Sequence, residues 1–128
     1  MMVRVEELMK QDLASVNCGD PVSLAATLMR IRRIGSVFVK QDGHIVGIVT
    51  ESDIVRKVVS AQRSPEHTTV DAVMTAPVIG IDQGAPIFEA ADLMDRSGTR
   101  HLAVTNRHDI VGVLSVRDLL HPVAIDEF

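Results

Sequence analysis

The sequence contains no tryptophan and no tyrosine, and only three phenylalanines. A core built on stacked aromatic rings is therefore excluded. With 46% of residues apolar, the interior has to be assembled from Val, Ile, Leu, Met and Ala. There is a single cysteine, Cys18, so no disulfide can form within the chain and nothing points to a secreted disulfide scaffold. Beyond its presence nothing supports a catalytic thiol at Cys18; an inert, half-buried cysteine is the simpler reading. Positive charge is not in excess. Thirteen Lys and Arg against seventeen Asp and Glu give a formal net charge of −4. That balance argues against a general nucleic-acid binder, yet leaves room for a local pocket for one anion. No apolar run approaches the ~20 residues needed to span a bilayer, and the opening MMVRVEELMK lacks the apolar core of a signal peptide. A soluble, cytoplasmic protein is the expectation. His44, His67, His108 and His121 share no ligand spacing with acids or cysteine, so no metal site is expected.

What the sequence does contain is itself, twice. Slid along so that Asp53 meets Asp118, the stretch from Val5 to Val55 aligns without a gap on Val70 to Leu120. About thirteen of roughly fifty pairs are identical, against roughly three or four from average composition. The identities include Met9 and Met74, Gly19 and Gly84, Pro21 and Pro86, Gly47 and Gly112. Each copy has one layout. DLASV and PVIGI read as first strands. GDP and GAP turn the chain and set Pro beside a helix start, where its missing N–H costs little. Val22, Ala25, Ala26 and Met29 recur at helical spacing, as do Ile87, Ala90, Ala91 and Met94. SVFVK and HLAVT are second strands, QDGH and NRHD turns, and IVGIV and IVGVL third strands. A second helix is predicted after Thr50 and after Ser115. Arg30, Arg32 and Arg33 gather near the end of the first long helix, where the helix dipole accommodates them. The Met residues of these helices are core filler. The copies divide the chain into a first repeat (1–61), a polar, Pro-containing linker (62–69) and a second repeat (70–128). About sixty residues with one aliphatic face make a marginal core alone, so the two copies are expected to pack face to face with approximate two-fold symmetry.

The recurring Thr50-Glu51-Ser52-Asp53 and Ser115-Val116-Arg117-Asp118 fit a helix capping box, in which the hydroxyl accepts from an exposed helical N–H and the acid reaches back. The surroundings allow more. A strand running into a helix start favours an anion, and a short carboxylate can accept two hydroxyl hydrogen bonds, as from a ribose. Gly47 and Gly112 sit inside apolar strands, which they weaken unless another backbone, a helix or a ligand approaches closely. Capping and ligand binding can use the same residues.

In order and double occurrence, LMKQDLASV, GDPVSLAATLM, IGSVFVK and IVGIVTESDIV, echoed by VMTAPVIGI, GAPIFEAADLM, TRHLAV and IVGVLSVRDLL, resemble a tandem pair of cystathionine-β-synthase (CBS) domains, a Bateman module. The resemblance spans about residues 3 to 122. It implies an α/β fold of two strand-helix-strand-strand-helix repeats packed sheet to sheet, with two pseudo-symmetric clefts that often bind AMP, ADP or ATP, sometimes S-adenosylmethionine. Carried over residue by residue, it places Asp118 on the ribose hydroxyls and Ser115 near phosphate, with Asp12, Leu13, Ala14 and Val113 around the base. In the second cleft Asp53 and Thr50 take those parts, with Pro77, Val78, Ile79 and Ile48 around the base. Gly35 with Ser36, and Arg100 with His101, would line the centre. Basic residues are usual there; Gly35 and Ser36 depart from that pattern, which leaves fewer fixed positive charges.

No nucleophile or poised acid–base pair accompanies Ser115 or Thr50, so no enzyme is expected. The reading is a regulatory module that senses an adenine nucleotide, needs no cofactor, pairs into a homodimer and is read by a protein partner, without membrane or nucleic acid. The alternative is a ligand-independent dimerisation module with vestigial clefts. A nucleic-acid binder, the third class, predicts steep salt dependence.

Overall fold

A computed structural model describes residues 2–120 of the chain. In order these form α1 (Val5–Leu8), β1 (Ser15–Asn17), α2 (Val22–Arg32), β2 (Ser36–Gln41), β3 (His44–Thr50) and α3 (Glu51–Ile54), which runs on into a π-helical turn (Val55–Val59). A 3-10 turn (Val70–Ala72), β4 (Gly80–Asp82), α4 (Ile87–Ser97), β5 (His101–Asn106), β6 (Asp109–Ser115) and a further 3-10 turn (Val116–Leu120) follow. His121, considered above as a metal ligand, lies outside the described residues.

The two long helices form where the apolar spacing predicts them. Each starts directly after an extended proline, Pro21 or Pro86, which has no side-chain acceptor to offer. The orphan N–H groups of the first turn are met by distant backbone instead. Val22 N–H donates to the Thr68 carbonyl at 2.8 Å, Ser23 N–H to Pro65 at 3.0 Å, and Ile87 N–H to Val3 at 3.1 Å. Both helices stop at a left-handed residue, Arg33 (φ 55°) and Gly98 (φ 71°), whose N–H bonds back to Met29 or Met94.

Each copy contributes one three-stranded sheet. β1 runs parallel to β2 and β2 antiparallel to β3; β4, β5 and β6 repeat the pattern. Both hairpins slip register at the matching place, between Val39 and Lys40 and between Val104 and Thr105. The first strands are shorter and later than DLASV and PVIGI suggest: they begin at Ser15 and Gly80, each just after a residue, Ala14 or Ile79, whose carbonyl already bonds the neighbouring strand. The turns after β2 and β5 use left-handed residues, Asp42 with Gly43 and Arg107.

The chain condenses into two compact units: Ala14–Val78, and Met1–Leu13 together with Ile79–Phe128. The first encloses Val16, Val22, Ala25, Met29, Val37, Val39, Val49, Val58, Val70 and Val73. The second encloses Val5, Ile81, Ala90, Met94, Leu102, Val104 and Leu114. Both interiors are aliphatic, as the missing aromatics require. The units are offset from the sequence repeats because the segment opening each repeat is bonded to the strand, turn and helix of the other. Val5 N–H donates to the Ala85 carbonyl and Glu6 N–H to Gln83 (2.8 and 2.9 Å); Val70 N–H donates to Asp20 (2.9 Å) and Asp71 N–H to Cys18 (3.3 Å). We call these two segments, 3–13 and 68–78, the straps. The polar stretch 62–69 is thereby more than a connection, since its carbonyls complete the start of α2 and the Thr68 side chain is buried.

Candidate functional site

In each unit the third strand ends at a hydroxyl residue, and a short helix begins at once. Thr50 (φ −113°, ψ 165°) ends β3 in extended conformation and caps α3. Its Oγ1 accepts from Asp53 N–H at 3.1 Å, while Asp53 Oδ2 accepts from Thr50 N–H at 3.0 Å and from the Thr50 hydroxyl at 3.1 Å. In the other unit Asp118 Oδ2 accepts from Ser115 N–H at 2.8 Å and from the Ser115 hydroxyl at 3.1 Å. The capping box is complete at Thr50, and at Ser115 its returning half is in place, with the acid bonding the Ser115 N–H and hydroxyl. Each cap fixes a carboxylate that is more than nine-tenths buried, Asp53 at 7% and Asp118 at 8% exposure. Replacing Thr50 by Ala is expected to cost about 0.5–2 kcal/mol, as for other caps, and Thr50→Ser much less; urea unfolding of the two variants measures the difference.

A strap crosses each third strand beside its carboxylate. Ile48 and Thr75 exchange backbone hydrogen bonds (3.0 and 2.8 Å), as do Val113 and Lys10 (both 2.9 Å). This crossing explains the two strand glycines. A Cβ on Gly47 would stand 2.5 Å from Met74 Sδ and 3.1 Å from the Thr75 carbonyl oxygen; one on Gly112 would stand 2.7 Å from Met9 Sδ and 2.9 Å from the Lys10 carbonyl oxygen. Of the three approaches considered for these glycines, it is another backbone that comes close at both, joined by a methionine side chain.

The polar groups facing the two carboxylates differ. Asp53 Oδ1 holds the Lys57 ammonium at 2.9 Å, and Lys57 also donates to the Val73 carbonyl at 3.0 Å. The Thr75 hydroxyl reaches the same carboxylate at 3.3 and 3.4 Å. At Asp118 the Lys10 ammonium stands 3.6 Å from Oδ1, on a side chain that is 67% exposed. Thr75 and Lys10 occupy the same position of the repeat. Lys10, Lys57 and Thr75 are absent from the motif-based set. The Asp53-to-Lys57 spacing, one helical turn, is the signal that would have found one of them.

The residues carried over from the resemblance fall into these surroundings as follows. Asp12 is exposed and Leu13 half-buried, three residues or fewer beyond Lys10 on the strap, in the unit that holds Asp118, Ser115 and half-buried Val113. Pro77, exposed after a cis bond from Ala76, and half-buried Val78 follow Thr75 in the unit that holds Asp53, Thr50 and buried Ile48. Ala14 and Ile79 each belong to the other unit, where their carbonyls accept from Phe38 and Ala103 N–H at 2.9 Å. Buried Ser36 lies opposite Thr50 in the ladder, and half-buried His101 opposite Ser115. The preceding residues close onto the helix starts: the Gly35 carbonyl accepts from Glu51 N–H (3.0 Å) and that of exposed Arg100 from Val116 N–H (2.9 Å). Among the described residues no three His, Cys, Asp or Glu side chains gather to hold a metal ion, and no helix is long and apolar enough to cross a membrane.

Two matching α/β units, each with a capped, buried aspartate beneath a crossing strap, define a duplicated module rather than two unrelated domains. The sequence profile of the CBS domain matches residues 5–60 and again 70–124. The chain belongs to the CBS-domain family, as a tandem pair. It is 32% identical to an uncharacterized protein of Methanopyrus kandleri, over 92% of this chain and 61% of that one, and 26% identical to the CBS domain-containing protein YhcV of Bacillus subtilis, over 92% and 84%. The chain thus spans less than two thirds of the Methanopyrus relative. Among solved structures, a signal-transduction protein with CBS domains from Burkholderia ambifaria, described as putative, superposes with a TM-score of 0.92 at 32% identity, covering 98% of this chain and 97% of that one. A hexameric CBS-CP12 protein from bloom-forming cyanobacteria superposes with 0.86 at 26% identity, covering 94% and 67%.

Proposed function

We propose that the chain is a non-catalytic regulatory module that senses an adenine nucleotide, AMP, ADP or ATP, through its capped aspartates, and that a protein partner reads the bound state. One observation carries this: at Asp118 a buried carboxylate is held through Oδ2 by the Ser115 N–H and hydroxyl, while the largely exposed Lys10 stands 3.6 Å from Oδ1. An immobile acceptor of this kind suits the paired hydroxyls of a ribose. Ser115, Arg100 and His101 stand at the same strand ends to meet phosphate, and Leu13 and Val113 offer apolar surface for the base. Membership of the CBS family, whose tandem pairs are generally regulatory, supports the same reading.

Calorimetric titration with AMP, ADP, ATP and S-adenosylmethionine tests it. Binding in the micromolar range is expected. Asp118→Ala and Asp53→Ala should show a loss of roughly ten- to a hundred-fold in at least one, the equivalent of about 1.5–3 kcal/mol for charge-assisted bonds. Affinity unchanged in both would remove these carboxylates from the site.

The module is also proposed to pair with a second copy. Ile31, Val55 and Val59 in one unit, and Phe88 and Leu120 in the other, are large apolar side chains more than half exposed. Such exposure favours association; light scattering should give twice the monomer mass. A dimer that forms equally with and without nucleotide, in a chain that binds none, is the outcome that favours the ligand-independent alternative.

A further inference from the structure

We infer that Lys57 closes the Asp53 half against ligand, so that the chain takes one nucleotide, at Asp118. The inference rests on the nucleotide reading above and adds which half is open and what shuts the other. A carboxylate offers about four lone-pair positions. At Asp53 all are engaged from within the chain: Oδ2 by the Thr50 N–H and hydroxyl, Oδ1 by the Lys57 ammonium at 2.9 Å and the Thr75 hydroxyl at 3.3 Å. A ribose could enter only by displacing a charge-assisted bond, the strongest kind available there. The Lys57 ammonium, on a side chain that is 45% exposed, has a second partner in the Val73 carbonyl of the strap at 3.0 Å. It rises from the π-helical turn that continues α3, so one residue ties the helix carrying Asp53 to the strap that crosses β3.

The other half lacks this lysine. The repeat position of Lys57 is taken by Pro122, which has no donor to give. The cation near Asp118 is Lys10, at 3.6 Å and largely in solvent. An exposed pair at that distance contributes little and its lysine is free to swing aside. A second difference points the same way. Arg100 and His101 stand at the strand start beside Ser115, where the Asp53 half has Gly35 and Ser36. The Arg100 guanidinium offers a positive charge suited to a phosphate in the Asp118 half, whereas at Asp53 the Lys57 charge is spent on the carboxylate itself.

The test is the stoichiometry of AMP, ADP and ATP on the full chain, read by calorimetry, with far-UV circular dichroism to confirm folding of each variant. One site per chain is expected, lost in Asp118→Ala. Lys57→Met should add a second, and Lys57→Met combined with Asp53→Ala should lose that second site alone. Lys57→Arg, which keeps the cation, should stay at one. Lys57→Gln, closer to lysine in shape and polar, repeats the measurement if the methionine variant fails to fold. Two sites in the unaltered chain, or one site surviving Asp118→Ala, would overturn the inference and leave the nucleotide reading standing. A count that stays at one in both Lys57→Met and Lys57→Gln would clear Lys57 of the role. No binding by the unaltered chain or by either Lys57 variant would overturn the nucleotide reading, and this inference with it.

Discussion

Gly112→Val is expected to destabilise the protein severely, and Gly112→Ala to do so by about 1–3 kcal/mol, the usual cost of forcing carbon into a filled space. The reason is the strap. A methyl group at this position would meet the Lys10 carbonyl oxygen at 2.9 Å as well as Met9 Sδ at 2.7 Å. The sulfur sits on a flexible side chain and can retreat. The carbonyl cannot, because the Lys10 backbone is bonded on both sides to Val113. Gly47 makes the comparison informative. Its closest obstacles are Met74 Sδ and Cγ at 2.5 and 3.0 Å, with the Thr75 carbonyl oxygen at 3.1 Å. Pairing Gly47→Ala with Met74→Ala should therefore recover more of the loss than pairing Gly112→Ala with Met9→Ala. Gly80→Ala, where the nearest atom would lie at 3.4 Å, is the control and should change little. Urea midpoints at constant slope measure the set. Equal, small effects at Gly112 and Gly80 would remove the steric account.

The second large effect concerns where the chain can be cut. The sequence repeat ends its first half at residue 61; the compact unit of the fold runs instead from Ala14 to Val78. A fragment of residues 1–61 ends before Val70 and Val73, both essentially fully buried in the core around α2 and β2. Their loss removes about 3–6 kcal/mol of apolar burial at roughly 1.5–3 kcal/mol per side chain. It also leaves Val22 and Ser23 N–H without the Thr68 and Pro65 carbonyls, and Ile48 without Thr75. Such a sum exceeds what a domain of this size can spare. Residues 1–61 are expected to show no cooperative transition in circular dichroism, whereas residues 14–78, of nearly equal length and retaining every member of that core, are expected to unfold cooperatively. A cooperative transition in 1–61 would show that the strap is dispensable.

The sequence made the long elements legible because local pattern and tertiary position agree there. Apolar residues at helical spacing after Pro21 and Pro86 became α2 and α4, and SVFVK and HLAVT became β2 and β5. Legibility ended at the straps. Their Leu and Val residues look like strand, but each strap meets a sheet at an isolated bridge, Lys10 to Val113 and Thr75 to Ile48. Local composition cannot separate a ladder from one crossing. The second helices were placed correctly at Thr50 and Ser115, yet their irregular turns, π-helical in one copy and 3-10 in the other, carry no periodic signature. At the candidate site the caps could be read, since Thr50 to Asp53 is a local spacing. Thr75 could not, because it reaches Asp53 from 22 residues away. The strand glycines were legible only as a demand for space; that a methionine and a backbone supply the demand is visible in three dimensions alone.

The course of the chain through its two units has a consequence for how the protein is made. Ala14–Val78 is continuous, whereas its companion is assembled from a short leading piece and everything from Ile79 onward. During synthesis the continuous unit has all its parts once Val78 emerges, while the leading thirteen residues wait for partners not yet translated. If the inserted stretch were a random coil of on the order of 65 residues, bringing its ends together would cost about 4 kcal/mol in chain entropy. Early compaction of the middle removes most of that burden, so damage to the middle slows or weakens the closing of the outer unit even where no residue of the outer unit has changed.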